Sequence, residues 1–270
     1  MNKIDRVKMA EETLQISKQG FYISANGYRV NLEDLPYIYW PEQELIELHA
    51  RWEQTPPVQP NPDFRIEFMI EDVIDTIFRL RFEGENMDAV GVLNFASAYS
   101  PGGGFIAGAK AQEETLAYCS DLYIKQVGSP YYVENHLNLS KLYCNNMIFS
   151  RVNFFRDSEF TLMDTPIVTN IITAPAVNMK KLADRGFDLS EANKVMKERM
   201  GYILDLMLET GCSTAILGAF GCGVFGNDPV IIAQNWAELL AKRPYFNRVI
   251  MAVKGSLADK NVRVFQQFFE

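Results

Sequence analysis

The chain has 270 residues, of which 48% are hydrophobic and 22% charged, enough for one large domain with a sizeable core. Its formal charge of −8 argues against duplex nucleic acid as a partner, because such binders are usually basic. A polyanionic ligand would have to be held by local backbone dipoles against the global field.

No stretch approaches the roughly 20 apolar residues of a membrane helix. The opening "MNKIDRVKMAEETL" is a charged helical pattern, not an export signal. The four cysteines, Cys119, Cys144, Cys212 and Cys222, form no Cys-x-x-Cys pair, and neither histidine, His49 or His136, lies near one of them. Zinc spacing is therefore missing. Free thiols and a cytoplasmic location are expected, with no metal and no cofactor.

In chain order, residues 3–19 predict an amphipathic helix with Ile4, Val7, Met9, Leu14 and Ile16 among charges. "FYISANGYRVNL" (21–32) alternates around Asn26-Gly27, a hairpin signal. "PEQELIELHARWEQ" begins with Pro41 and reads as a short helix. The proline-rich "TPPVQPNP" (55–62) is the best boundary in the chain. It divides an N-terminal extension (1–62: helix, hairpin, helix), packed on the core, from a main domain (63–270). There strands and helices alternate: strand 64–69, helix 70–82, strand 89–96, a helix from about Gln112, strands 147–150 and 166–174. A helical stripe follows over 191–210, with Asp188 and Glu191 at its start as a capping pair. Strand 213–220, helix 228–242, strand 248–253 and a last helix from about 257 complete the pattern. This is an α/β chain with helices on both faces of a sheet.

Two glycine motifs mislead. "GCGVFG" (221–226) fits the dinucleotide fingerprint, but the next strand ends at Lys254 without an acidic residue for a ribose hydroxyl. "GFIAGAKA" (104–111) approaches a phosphate loop, but Lys110 is one position late and Ala111 offers no hydroxyl for magnesium. What remains is simpler. Both runs follow an apolar strand and precede a helix, the place where open α/β sheets form ligand crevices. Glycine lets backbone N–H groups approach an anion closely. Asp228 and Pro229 read as the N-cap and first residue of the following helix. Two such loops suit a diphosphate.

Glu113 and Glu114 are sequence neighbours, so on a helix they point about 100° apart. They cannot flank a bond as the paired acids of common glycosidases do. One is free to do chemistry while the other orients a hydroxyl. A helix start rich in Gln and Glu is also ordinary dipole chemistry.

The joint pattern "NFASAYSPGGGFIAGAKAQEETLAYCSDLY" (94–123) combines Gly-Gly-Gly, seven residues and Gln-Glu-Glu. It resembles the signature of the microbial-type poly(ADP-ribose) glycohydrolases, enzymes of macrodomain fold. "AEETL" (10–14), "FFRD" (154–157), "TAPAVN" (173–178) and "LGAFGCGVFGNDP" (217–229) are similar to segments of that family in the same order. The resemblance implies a three-layer α/β/α macrodomain-like fold with a mixed central sheet and a helical N-terminal extension. It implies hydrolysis of ribose–ribose bonds in poly(ADP-ribose), with ADP-ribose as product and Glu114 as general acid/base. Glu113 would hold ribose hydroxyls, and Asn94 would help to place the distal ribose. Gly102, Gly103, Gly104 and Gln112 would belong to the catalytic element. Gly221, Gly223, Val224, Phe225 and Gly226 would form a second diphosphate loop, with Phe225 packing on the ligand.

Two rivals use the same site: a mono-ADP-ribosyl hydrolase acting on protein or nucleic-acid adducts, and a non-catalytic ADP-ribose reader. Cys222 reads as a small residue between glycines, and His49 and His136 as structural or exposed. Tyr99 and Phe105 flank the first glycine run, and either could stack on adenine or pack in the core.

Overall fold

The computed structural model describes residues 1–54 and 59–270. Residues 55–58, half of the proline-rich boundary, lie outside the described residues. The elements in chain order are α1 (Lys3–Gln19), β1 (Phe21–Ile23), β2 (Arg29–Asn31), β3 (Tyr37–Trp40), α2 (Glu42–Gln54), β4 (Arg65–Met69), α3 (Val73–Phe82) and β5 (Val90–Ala96). Then follow α4 (Gln112–Cys119), α5 (Leu122–Gln126), α6 (Pro130–Leu137), β6 (Met147–Arg156), β7 (Leu162–Pro175) and α7 (Met179–Ala183). The chain ends with α8 (Leu189–Glu209), β8 (Thr214–Leu217), α9 (Pro229–Ala241), β9 (Arg248–Ala252) and α10 (Lys260–Phe269). Among the described residues no helix is long and apolar enough to cross a membrane.

Seven strands form one mixed sheet in the order β3-β6-β7-β5-β8-β9-β4. β3, β6 and β7 are antiparallel neighbours, whereas β7, β5, β8, β9 and β4 run parallel. The pleat divides the apolar residues between two layers. Leu93, Leu217 and Met251 face a core built with α2, α8, α9 and α10. Val92, Ile216 and Ile250 face a second core with α3, α4 and α5. The parallel strands are therefore buried on both faces and read as continuous apolar runs.

The hairpin and nearly all the expected helices and strands fall where the sequence places them, but β6 and β7 are much longer and β8 is shorter. β3 is a strand that the sequence pattern hides. It pairs with β6 from Tyr37↔Ser150 to Trp40↔Met147, so residues 37–40 of the N-terminal segment form an edge of the main sheet. The stripe expected on α1 is also different. Its buried residues are Ala10, Thr13 and Ile16, while Ile4 is exposed.

What α1 contributes is polar. Arg156 on β6, 1% exposed, donates to Thr13 Oγ1 and Glu12 Oε2, both at 2.6 Å, and to the Tyr118 carbonyl at 2.9 Å. "AEETL" and "FFRD", far apart in sequence, thus meet in one network beneath α4. Arg6 Nε donates to the Gly108 carbonyl at 2.8 Å, so α1 also braces the loop that leads into α4. At the opposite face, Asp205 on α8 is fully buried and accepts from Arg243 Nε at 2.6 Å, with His49 Nδ1 of α2 at 2.6 Å.

Removing Arg156 takes one donor from each of Thr13 Oγ1 and the Tyr118 carbonyl and leaves them only the 3.1 Å bond between themselves, whereas Glu12 is half-exposed and can return to water. Arg156→Met is expected to lower the unfolding free energy by about 3 kcal/mol. Glu12→Gln is expected to cost under about 1 kcal/mol. Urea denaturation of both variants checks the difference.

Candidate active site

β5 forms the floor of the site. On one side it pairs with β7 out to Ala96↔Pro175, but on the other it pairs with β8 only from Val90 to Val92. Beyond Val92 the sheet opens, as expected of a crevice at strand C-termini. Gln112, the first residue of α4, fills the vacated ladder. Its Oε1 accepts from Phe95 N at 2.9 Å and its Nε2 donates to the Leu93 carbonyl at 2.7 Å. A side-chain amide here takes the part of a neighbouring strand and fixes the start of α4 against β5.

That anchor sets the next two residues. Glu113 Oε2 accepts from Ser97 N at 2.8 Å, and Glu114 Oε1 accepts from Gly104 N at 2.8 Å. The carboxylates hold the two ends of the 97–104 loop. Both are nearly buried, at 5% and 7% exposure. Asn94 shares the pleat face of Val90 and Val92, toward α4, and with Gln126 adjoins the Glu113 carboxyl. Glu113 Oε1, Glu114 Oε2 and Asn94 Oδ1 are buried and have no hydrogen-bond partner among the described residues. Three acceptors left open at one place call for a ligand rich in donors, such as a sugar with free hydroxyls. Burial pushes the Glu113 carboxyl up to about 8, with the Ser97 N–H opposing the shift and the Glu114 charge adding to it.

The three glycines serve the carboxylates. Gly102 N donates to Gln126 Oε1 at 2.8 Å, Gly103 N to the Ser100 carbonyl at 2.9 Å, and Gly104 N to Glu114. None of these N–H groups is left free for an anion, contrary to the expectation for this loop. Gly103 has φ +59°, and a Cβ there would lie 2.5 Å from Glu114 Oε1 and 2.8 Å from Glu113 Oε2. Only glycine lets both carboxylates close on the loop backbone.

The second loop has the opposite character. The N–H groups of Gly223, Val224 and Phe225 donate to nothing among the described residues, and Val224 is exposed. Gly221 (φ +74°) and Gly226 (φ +68°) make the turns on either side. The loop is tied down elsewhere: Lys180 N donates to the Phe225 carbonyl at 3.0 Å, and Asn227 Nδ2 to the Val177 carbonyl at 2.8 Å. Asp228 caps α9 with Pro229 behind it, as the sequence predicts. Three consecutive free donors are a ready anion cradle.

A cavity of about 370 Å³ lies over this loop and the open end of the sheet. Gln112, Gly221, Gly223, Val224 and Phe225 line it, together with Phe95. Glu113, Glu114, Asn94 and Gly102–Gly104 do not line it; they stand behind Gln112 at the neighbouring loop. Sequence reading missed Glu71 and Asp72, after β4, and Lys254, after β9, which also line the cavity. Their signal was available, since Asp72 N-caps α3 directly after a strand. Lys254 Nζ bonds Asp72 Oδ2 at 2.8 Å, so that charge is already paired. Lys110, out of place for a phosphate loop, is also in the lining.

Phe105 is fully buried against Tyr118 and Tyr123, so it packs in the core. Tyr99 is exposed and lies outside this cavity. His49 is held by Asp205, and His136 Nδ1 faces the Tyr132 carbonyl at 2.8 Å. All four cysteines are free, and burial pushes the Cys222 thiol up to about 12, which suits a packing residue better than a nucleophile.

The architecture is a macrodomain-like α/β/α fold with its crevice at the C-terminal ends of parallel strands. A family model described as "Microbial-type PARG, catalytic domain" matches residues 10–157. The structure of poly(ADP-ribose) glycohydrolase from Thermomonospora curvata superposes with a TM-score of 0.89 at 31% identity, over 98% of this chain and 99% of that one. The same enzyme bound to the inhibitor ADP-HPD gives 0.86 at 31% identity, over 98% and 99%. The Deinococcus radiodurans enzyme in complex with ADP-ribose gives 0.78 at 32% identity, over 87% of this chain and 94% of that one. No curated protein sequence matches the chain. The chain belongs to the microbial-type poly(ADP-ribose) glycohydrolase family.

The raised Glu113 carboxyl has a stability consequence. The folded state keeps a proton that the unfolded chain releases near the ordinary value of 4.5, so stability falls as pH rises from there to about 8. Glu113→Gln keeps an acceptor for Ser97 N and removes the titration. Its melting temperature is expected to gain on wild type by about 5 °C more at pH 8.5 than at pH 5, read by calorimetry at both values.

Proposed function

We propose that the chain hydrolyses the ribose–ribose O-glycosidic bonds of poly(ADP-ribose) and releases ADP-ribose, with Glu114 as general acid/base. The observation that carries this reading is the group of open acceptors on Asn94, Glu113 and Glu114, set beside a cavity whose second loop presents three free N–H groups. ADP-ribose has the matching parts: a diphosphate that accepts hydrogen bonds and a terminal ribose that donates them.

In this reading the diphosphate lies on Gly223–Phe225 and Phe225 packs on the ligand. The terminal ribose reaches past Gln112 to the carboxylates. Glu113 Oε1 and Asn94 Oδ1 accept from ribose hydroxyls and fix the ring. Glu114 holds Gly104 N with one oxygen, and its open Oε2 gives its proton to the departing 2′-oxygen. The sugar passes through an oxocarbenium-like state. Glu114, now anionic, takes a proton from the water that attacks the anomeric carbon, which restores the acid. One acid/base residue contributes about 10²–10⁴-fold. The remainder comes from holding the bond and the acid in register through the two loops.

Release of ADP-ribose from automodified polymer tests the assignment. Glu114→Ala is expected to slow release by at least about 10²-fold while calorimetry still detects ADP-ribose binding. Equal rates for variant and wild type would overturn the role of Glu114. ADP-ribose binding by a wild type that turns over no polymer would make the protein a reader.

Gly103→Ala forces both carboxylates off the loop while leaving both glutamates in the chain. A displacement near 1 Å is enough to cost about 10²-fold, so this variant is expected to lose turnover to a similar extent as Glu114→Ala. Steady-state rates on the same polymer check it.

A further inference from the structure

One shallow surface cleft, enclosing only about 10 Å³, stands out against the acidic whole. It lies between the 97–104 loop, the segment before β6, and α7. Lys141, Lys181 and Arg185 line it with Tyr99, Tyr143 and Asn178. No carboxylate lines it, although Asp184 precedes Arg185 in sequence. The three cations are exposed, and among the described residues none of them forms an ion pair.

The aromatic pair is built, not incidental. Tyr143 has φ +65°, one of two non-glycine residues in the left-handed region among those described. Arg199, fully buried, holds that conformation. Its guanidinium donates to the Leu142 and Pro175 carbonyls at 2.8 Å, to the Tyr143 carbonyl at 3.4 Å, and to Asn145 Oδ1 at 2.8 Å. No carboxylate pairs with it among the described residues, so a buried cation is used here to fix backbone. Strain of this kind persists where the surroundings over-determine it. The Tyr143 ring meets Tyr99 edge-on at 5.3 Å, and Tyr99 meets His136 edge-on at 5.1 Å. Tyr99 is 36% exposed.

The cleft joins both halves of the site. Tyr99 stands two residues after Ser97, whose N–H is held by Glu113. On the other side, Lys180 N is bonded to Phe225 of the second loop, so α7 connects the cleft to the anion cradle. A ligand leaving the carboxylates along the 97–100 backbone meets two tyrosines and then three cations.

The polymer's chemistry matches that order. The bond cleaved joins the anomeric carbon of one ADP-ribose to the 2′-oxygen of the next unit's adenosine. The leaving group therefore begins with a ribose carrying adenine and continues into a second diphosphate. We infer that the Tyr99–Tyr143 cleft is a subsite for this adjoining unit: Tyr99 and Tyr143 take its adenine, and Lys141, Lys181 and Arg185 take its diphosphate. The inference rests on the glycohydrolase reading above and deepens it by assigning residues to the leaving half of the substrate. Tyrosine stacks on any base, and Lys and Arg are the common phosphate partners. Arg199 acts through Tyr143 and is a positioning residue.

The test compares two substrates with one bond type and different leaving groups. One is polymer of defined length. The other is an ADP-ribose glycoside whose aglycone is a single phenol, which cannot reach the cleft. In Lys181→Ala/Arg185→Ala and in Tyr99→Ala, the ratio of kcat/KM on polymer to kcat/KM on the glycoside is expected to fall about tenfold, mostly through KM on polymer. In the double variant the slope of log kcat/KM on polymer against log salt should also become shallower by about 1.4, from about 0.7 per phosphate contact. An unchanged ratio, or equal losses on both substrates, would overturn the subsite and leave the function standing. A wild type that cleaves neither substrate would overturn both.

Discussion

Glu113 and Glu114 each have one bonded and one open oxygen. One oxygen of each accepts a backbone N–H from an end of the 97–104 loop, and the other stays open. Loop position and carboxylate position are thereby a single degree of freedom. The surrounding structure maintains it from three directions. Gln112 docks the start of α4 into the gap in the β5 ladder. Gln126 of α5 holds Gly102 N and reaches Thr173 Oγ1 on β7. Arg6 of α1 grips the Gly108 carbonyl from outside. A reacting group supported this densely cannot shift alone, which is the condition for orientation to lower a barrier.

The glycine-rich loops look alike in sequence and, in the proposed reading, serve opposite ends of the ligand. The first uses its N–H groups internally and brings carboxylates close. The second leaves its N–H groups open. A chain of charge −8 needs this separation, because phosphate and carboxylate repel most strongly where water is excluded. In the proposed reading backbone donors hold the anion; of the two lysines that line the cavity, Lys110 and Lys254, the second is already paired with Asp72. Three further cations without ion pairs among the described residues, Lys141, Lys181 and Arg185, line the cleft beside Tyr99, the place inferred for a second diphosphate.

Much of this was legible in the sequence because the governing signals are local. Apolar runs gave the parallel strands, and Asp228-Pro229 gave the start of α9 with its cap. The run from Gly102 to Glu114 marked the element proposed as catalytic through its resemblance to a family signature. What escaped notice depends on strand order. β3 is half-exposed at a sheet edge, so it carries no alternation to read. The clamp by Gln112 exists only because β8 leaves β5 after Val92, and the sequence contains no record of that gap. Tyr99 and Phe105 have similar sequence surroundings, yet one turns outward and the other is sealed under Tyr118. The free donors of Gly223–Phe225 and the engaged donors of Gly102–Gly104 could not be told apart before the partners of each N–H were known.

Burial also assigns the two carboxylates different work. Burial keeps a proton on Glu113 up to about pH 8, so the nearly closed site does not hold two adjacent anions. A neutral Glu113 still offers its open oxygen to a ribose hydroxyl. It adds no second full charge beside the reacting carbon. In the proposed mechanism Glu114 becomes the anion that faces the cationic sugar once it has protonated the leaving oxygen, and the attraction peaks in the transition state, where it accelerates the reaction most. The neighbouring glutamates are therefore not a symmetric pair of acids. In the proposed mechanism one orients the sugar as a neutral acceptor, and the other changes charge as the bond breaks.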